Sequence, residues 1–133
     1  MNDLLKKLNF KDQKEILILN APEDFAPYLK EIKMETGVAT EFKAGKEYSF
    51  VIAFVKTQKE VNTLAPKMNK ALGGDGLLWM AYPKGTSKKY KSEISRDQGW
   101  DPLRALGFDT VRLIAINDDW SCMRFRREEF IKR

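Results

Sequence analysis

The sequence has no histidine and only one cysteine, Cys122, among its 133 residues. Without histidine the chain has no Ser-His-Asp or Cys-His nucleophile, no HExxH zinc helix and no histidine-ligated haem. One cysteine cannot form an internal disulfide or a CxxC redox pair. Cys122 falls in a predicted strand without an evident base, so we interpret it as a buried structural thiol. The absence of a disulfide and of a signal peptide predicts a cytoplasmic protein.

Long apolar runs are also missing. The longest, from Phe50 to Val55, is far shorter than the roughly 20 residues of a membrane-spanning helix, so no membrane association is expected. With 43% hydrophobic and 32% charged residues the composition is that of a soluble globular protein. The length predicts a single domain over residues 1–133.

Arginine is absent from the first half of the chain. Residues 1–66 carry 10 Lys against 10 acids, whereas residues 67–133 carry 7 Lys and 7 Arg against 9 acids, so the net charge of +5 lies in the second half. Its densest stretch runs from Lys84 to Arg96, with Glu93 as the lone acid. Such a run is compatible with a phosphate-bearing ligand, with a nucleic-acid backbone, or with a solvated loop.

Three short apolar runs predict buried strands. They are rich in β-branched and aromatic residues, which is typical of parallel strands covered on both faces. The runs are Glu15–Asn20, Tyr48–Val55 and Leu77–Tyr82, the last introduced by glycines 73–76 and stopped by Pro83.

Between these runs the apolar spacing is helical. Asp24 is expected to act as the N-cap of a helix that Gly37 closes. A second helix is predicted over 59–72, kinked by Pro66 and ended by Gly73.

The remaining helices are shorter. One is predicted over about 95–106, starting from a capping box of Ser95 with Gln98 and broken or restarted near Gly99. A second start is available at Asp101, with Pro102 at the first helical position and Gly107 at the end. Another is expected within the first dozen residues, with Leu4, Leu5 and Leu8 on one face.

The chain ends in two predicted strands, 111–116 and 120–126, whose three-residue loop implies an antiparallel hairpin. The segment from Val38 to Ala44 is a candidate edge strand. Since only Gly45, Lys46 and Glu47 separate it from the next strand, it is either very short or antiparallel to its neighbours. An exposed edge strand leaves both a monomer and a homodimer open.

This order of elements predicts an α/β protein, a three-layer sandwich with a mostly parallel sheet and a C-terminal antiparallel hairpin. Three stretches, 82–88, 96–100 and 119–126, resemble a family of short, uncharacterised bacterial proteins. Members of that family look like degenerate class I methyltransferases, which implies a shortened Rossmann-like fold without its middle strand-helix units. The resemblance covers the chain from about Leu8 onward and implies no chemistry of its own.

The comparison with active methyltransferases also predicts what is missing. Those enzymes have a glycine-rich turn after the first strand and an acid ending the second strand that binds ribose. Here the first strand runs into residues 20–24, Asn-Ala-Pro-Glu-Asp, with no glycine. Glu41 is the only candidate for the ribose-binding acid, and a solvated surface role is the alternative.

Ligands of open α/β sheets bind beyond the carboxyl ends of the strands, where the strand order reverses. This rule and the basic run select a set of candidate ligand-binding residues, each with a turn, capping or ion-pairing role as the alternative. No catalytic residue is assigned. No metal-binding residue is assigned either, because Asp118 and Asp119 in a tight turn lack further metal ligands. The candidates are Asn20, Lys56, Tyr82, Lys84, Thr86, Ser87, Lys88, Arg96, Asp97, Trp100, Asp119 and Trp120.

Three functions follow from these observations. The first is a non-catalytic Rossmann-like module that binds a small molecule or anion, or interacts with a partner. The second is a small S-adenosylmethionine-dependent methyltransferase with an atypical cofactor loop, since methyl transfer can rely on positioning the reactants. The third is nucleic-acid binding through the 84–96 loop, which the isolated Tyr90 disfavours because single-strand binders stack several aromatic rings. The sequence identifies no cofactor.

Overall fold

A computed structural model of the protein describes residues 3–132. These residues form four helices and six strands, with 3-10 turns at Glu23–Phe25 and Glu128–Phe130. In chain order the elements are α1 (Asp3–Lys7), β1 (Glu15–Leu19), α2 (Ala26–Lys33), β2 (Gly37–Ala39), β3 (Tyr48–Phe54), α3 (Gln58–Ala71), β4 (Leu72–Pro83), α4 (Asp101–Ala105), β5 (Phe108–Ala115) and β6 (Trp120–Arg127).

All six strands form one sheet in the order β2-β1-β3-β4-β6-β5. The pairs β2–β1, β1–β3 and β3–β4 are parallel, and β6 runs antiparallel to both β4 and β5. The predicted α/β class, the mostly parallel sheet and the C-terminal hairpin are confirmed. None of the helices within residues 3–132 combines the length and the apolar character that a membrane crossing needs.

The sheet separates two apolar cores. One face carries the buried residues of α3 and α4, among them Val61, Met68 and Leu103, against β-strand residues such as Leu78 and Phe125. The opposite face is covered by α1 and the Glu23–Ile32 segment. The alternation of side chains along each strand supplies both layers, because successive residues point to opposite faces.

The candidate edge strand is very short and parallel. β2 pairs with β1 over Gly37–Ala39 only. Ala39 pairs in register with Leu17, and Leu17 pairs in register with Val51 of β3. The end of β2 is therefore only about three residues farther along the sheet than the start of β3 at Tyr48. Eight residues, 40–47, therefore complete a parallel crossover without a helix, with Phe42 packed on the α3 side of the sheet.

Two helix boundaries differ from the prediction. Asp24 does not cap α2, which starts at Ala26 directly after the Glu23–Phe25 turn, with no side-chain cap. Instead the Asp24 carboxylate accepts from Lys89 Nζ at 3.2 Å. Gly37 begins β2 rather than closing α2, because the chain turns at residues 34–36 and enters the sheet directly.

The third predicted helix is also shorter than expected. Residues 95–100 form an irregular bend, and α4 begins at Asp101, the second predicted start, with Pro102 in its first turn. The Ser95 amide donates to the carbonyl of Gln98, which is a backbone contact within the loop and not a capping box. Gly99 has a φ of +108°, which is outside the helical region and explains why a helix does not start earlier.

Candidate functional site

The strand order reverses between β1 and β3, and Asn20 and Glu60 meet at this point. Asn20 directly follows β1 and has a φ of +62°, a left-handed conformation that asparagine tolerates better than most residues. Its Nδ2 donates to the carbonyl of Phe54 at 2.8 Å and to Glu60 Oε2 at 2.6 Å. The carboxyl ends of β1 and β3 are thus tied together by a side chain.

Glu60 also fixes the start of α3. Its Oε1 accepts from the amides of Lys56 at 2.8 Å and Thr57 at 3.1 Å, while Thr57 Oγ1 accepts from the Glu60 amide, so the two residues form a capping box. Burial disfavours the ionised carboxyl. The hydrogen bonds from Lys56, Asn20 and Thr57 outweigh it, and the pKa of Glu60 lies below its ordinary 4.5.

The turn after β1 offers little to an anionic ligand. Ala21 has a Cβ where a glycine would leave the backbone open, and Pro22 has no amide hydrogen to donate. Glu23 and Asp24 place two acids just before the start of α2, where an anion would otherwise be attracted. A shallow depression of about 370 Å³ lies beside Asn20 and Glu60, with Leu19 and Leu64 as its apolar wall.

The loop from Lys84 to Trp100 folds back over the carboxyl ends of the strands. At one end the Lys84 amide donates to the carbonyl of Asp119 at 2.8 Å, and the Ser87 hydroxyl donates to Asp119 Oδ1 at 2.8 Å. Farther along, Glu93 Oε1 accepts from the Gln58 amide at 2.9 Å. These bonds anchor the loop to both the hairpin and α3.

An aromatic cluster holds the middle of the same loop. The Tyr90 ring lies 5.1 Å from that of Trp120, which in turn lies 5.3 Å from Phe54. Lys56 and Lys89 place their ammonium groups over Tyr90 at 5.5 and 5.6 Å from the ring centroid.

An open groove of about 790 Å³ lies between this loop and the C-terminal hairpin. Its lining combines the end of β4, the basic loop and two residues of the hairpin. The lining residues are Tyr82, Pro83, Lys84, Gly85, Thr86, Ser87, Tyr90, Lys91, Ser92, Ile94, Ser95, Arg96, Leu113 and Ser121. We call this the hairpin groove.

The structure brings five of the predicted site residues together in the hairpin groove: Tyr82, Lys84, Thr86, Ser87 and Arg96. Asn20 lies apart from them at the strand reversal, and Lys56 lies between the two regions, with its carbonyl accepting from Glu93.

The other predicted candidates occupy different environments. Lys88 and Asp119 line an adjoining depression of about 500 Å³, which shares Lys84 and Thr86 with the hairpin groove. Asp97 is exposed and pairs with Arg96 at 3.4 Å.

Trp100 and Trp120 are buried in the two cores. Trp100 is 0% exposed, and its Nε1 donates to the carbonyl of Ser95 at 2.8 Å. Trp120 is 2% exposed within the aromatic cluster. Neither indole lines the hairpin groove.

The sequence reasoning did not select several residues of these sites. Lys91 belongs to the basic run but is not among the predicted ligand-binding residues. Leu113 comes from a strand predicted only for its packing. Glu60 had a usable signal, because Thr57 followed three residues later by Glu60 is the pattern of a capping box.

The basic run is divided among several surfaces. Lys89 faces Asp24, Lys88 faces the depression at Asp118 and Asp119, and Lys91 and Arg96 line the hairpin groove. The cations of the run therefore do not share one continuous surface.

Cys122 is fully buried, and burial raises the pKa of its thiol well above 9.0. This agrees with the structural role expected for it. Among the described residues no cluster of three or more acids or cysteines is placed to hold a metal ion.

Solved methyltransferase structures share this fold. The N-methyltransferase NodS from Bradyrhizobium japonicum WM9 superposes with a TM-score of 0.60 at 12% identity, over 93% of this chain and 92% of that chain. NodS in complex with S-adenosyl-L-homocysteine gives 0.59 at 12% identity, over 93% and 83%. A SAM dependent methyltransferase from Aquifex aeolicus gives 0.66 at 12% identity, over 93% and 87%.

The chain therefore has the fold of class I S-adenosylmethionine-dependent methyltransferases, as the sequence resemblance implied. At 12% identity the likeness defines the fold and not the activity. No protein-family model matches the chain, and no curated protein is similar to it.

Proposed function

We propose that this protein is a non-catalytic binding module that uses a methyltransferase-like fold. The observation that carries the proposal is the bond between Asn20 and Glu60 across the strand reversal. A ligand at this point would have to displace an amide that makes two hydrogen bonds and a carboxylate that accepts four. Asn20 is exposed and Glu60 is partly buried, so the cost of leaving these groups without partners lies at the low end of about 1–3 kcal/mol each.

The surroundings of this bond support the same proposal. Pro22 has no amide to offer to a carboxylate or phosphate, and Glu23 adds an exposed negative charge. The β1 turn therefore lacks the backbone donors that approach anionic ligands in glycine-rich turns. Lys59 is the one cation among the described residues that line the depression beside Asn20, whereas Lys84, Lys91 and Arg96 line the hairpin groove.

Binding of S-adenosyl-L-homocysteine tests the proposal directly. Titration calorimetry and thermal unfolding at about 1 mM ligand are expected to give no saturable heat and no rise in Tm. Even a ligand with a Kd of about 1 mM would stabilise the fold by only about 0.4 kcal/mol at this concentration. A micromolar Kd would overturn the proposal. The strongest evidence against it would be an affinity that Glu41→Ala weakens and Lys30→Ala leaves unchanged. Lys30 lies on the exposed side of α2 and serves as the control.

A methyltransferase is the second candidate. It is favoured by the depression of about 370 Å³ beside Asn20 and Glu60, which lies at the strand reversal where ligands of open α/β sheets bind. Glu41, exposed just beyond the end of β2, would then supply the carboxylate for the ribose hydroxyls. The same titration separates the two candidates.

A further inference from the structure

The hairpin groove has a one-sided charge. Among the described residues that line it, Lys84, Lys91 and Arg96 are cations and none is an acid. Around them are the hydroxyl-bearing side chains of Tyr82, Thr86, Ser87, Tyr90, Ser92, Ser95 and Ser121. Because the Ser87 and Ser92 hydroxyls already donate to Asp119 and to the Ile94 carbonyl, the cations are what chiefly attract negative charge to this concave surface.

Asp118 and Asp119 line an adjoining depression together with Lys84, while two acids of the surrounding loops are engaged in other hydrogen bonds. Glu93 caps α3 through the Gln58 amide, and Asp119 accepts from Ser87. Asp97 is the one carboxylate paired with a groove cation among the described residues, to Arg96 at 3.4 Å. Both side chains of that pair are more than two-thirds exposed, so it contributes little and is easily exchanged for a ligand.

The groove also has an apolar wall. Ile94 is buried at its floor, and Leu113 on β5 is 45% exposed, one of the few large apolar side chains in the described chain to reach solvent. Tyr82 and Pro83 at the end of β4 continue this wall. Since β5 and the basic loop are far apart in sequence, the fold alone brings apolar and cationic side chains to one groove.

We infer that the hairpin groove binds a small organic anion, in which a phosphate or carboxylate head is joined to a flat or aliphatic apolar body. The head contacts Lys91 and Arg96, and the body lies against Leu113 and Ile94. A volume of about 790 Å³ suits a ligand of metabolite size. This inference deepens the proposed function, because it names the ligand class and the place where it binds.

Three probes with the same ring system separate the charge from the apolar body: 1-naphthyl phosphate, 1-naphthoate and neutral 1-naphthol. We expect the two anions to bind about tenfold or more tightly than the alcohol, with an affinity that falls as salt is raised. If only the phosphate binds, the head is a phosphate, and if both bind alike, it is any small anion.

Matched variants locate the site. Lys91→Gln with Arg96→Gln is expected to weaken both anions about tenfold, whereas Lys67→Gln on the exposed side of α3 leaves them unchanged. Leu113→Ser is expected to weaken all three probes alike. Circular dichroism on each variant confirms that the fold is intact.

Several results would overturn the inference. They are the absence of binding of either anion at about 10 mM, equal binding of the alcohol, and an equal loss in the Lys67→Gln control. These results are independent of the S-adenosyl-L-homocysteine titration. Anion binding together with cofactor binding would reject the non-catalytic proposal and leave the groove assignment standing.

Discussion

Asn20 Nδ2 lies 2.6 Å from Glu60 Oε2, although 40 residues separate the two side chains along the sequence. The contact joins the turn after β1 to the first turn of α3. Its position is notable because the fold places ligand sites at this reversal of strand order. Here the position is occupied by a structural hydrogen bond, whose contribution to stability can be measured.

Substitution of Asn20 separates its conformation from its hydrogen bonds. Asn20→Gly keeps the left-handed conformation and loses only the bonds to Phe54 and Glu60, at an expected cost of about 1–2 kcal/mol. Asn20→Ala adds the strain of a positive φ, about 1 kcal/mol more. Urea denaturation measures both. Asn9, which also has a φ of +62°, is the control, and an Asn9→Gly variant as unstable as Asn20→Gly would contradict the assignment.

The pKa of Glu60 predicts a pH dependence of stability. Because the folded pKa lies below the ordinary 4.5, ionisation of Glu60 stabilises the fold fully above the unfolded pKa, and this stabilisation is lost as the pH falls through the folded pKa. The stability difference between wild type and Glu60→Gln is therefore expected to be constant from about pH 6 to 8 and to shrink below about pH 4.5. A difference that persists unchanged at about pH 3, or the same shrinkage in the exposed Glu23→Gln, would refute this interpretation.

Pro66 lies inside α3, where it removes a helical hydrogen bond. Its side chain is exposed, so replacement by alanine is expected to leave the core unchanged. We expect Pro66→Ala to raise the free energy of unfolding by about 2 kcal/mol, after allowance for the greater entropy of the unfolded chain. Chemical denaturation tests this expectation. A destabilised variant would mean that α3 needs its proline-induced geometry to pack on the sheet.

Gly99 is expected to be intolerant of a side chain. A Cβ there would lie 2.3 Å from Cγ2 of Ile94, and the φ of +108° is itself unfavourable for alanine. Gly99→Ala should therefore cost more than about 2 kcal/mol and disturb the floor of the hairpin groove. A Cβ on Gly85 would meet no heavy atom within 4 Å, and the φ of Gly85 is ordinary, so Gly85→Ala serves as the near-neutral partner. Equal melting temperatures for the two variants would contradict the prediction.

The Cys122 thiol is expected to be unreactive in the native state. It is 0% exposed, and burial raises its pKa, so little thiolate is available. Ellman's reagent should give no rapid reaction in buffer and one thiol per chain in about 6 M guanidinium chloride, where the protein is unfolded. Rapid labelling of the folded protein would show that β6 opens locally.

Much of the sheet was predictable because its strands are nearly pure apolar runs. β1 and β3 begin where the sequence predicted, and each ends one residue earlier. β4 is longer than predicted, because the glycine-rich residues 73–76 form a bulged extension of the strand against β3 and not a separate turn.

The errors occurred where tertiary contacts decide the local structure. Asp24 has the composition of a helix cap, but its carboxylate is taken by Lys89, 65 residues away. The segment before α4 has a capping-box pattern, but Gly99 packs against Ile94 in a conformation that no helix adopts.

The candidate site was predictable only in part, for a similar reason. The loop 84–96 was recognised from its charge, whereas Leu113 joins it only through the pairing of β5 with β6. The bond between Asn20 and Glu60 is equally non-local, although each residue has a clear local role.

The short crossover between β2 and β3 has a practical consequence. Residues 43–47 are exposed, Gly45 has open space around it, and Lys46 pairs with Glu15 at the amino end of β1. The bend therefore lies at the amino ends of the strands, whereas the hairpin groove and the strand reversal lie at their carboxyl ends. A fluorescent domain inserted after Gly45 would leave the register of β1 and β3 unchanged. The fusion would label the protein while leaving the hairpin groove and the depression beside Asn20 accessible to ligands.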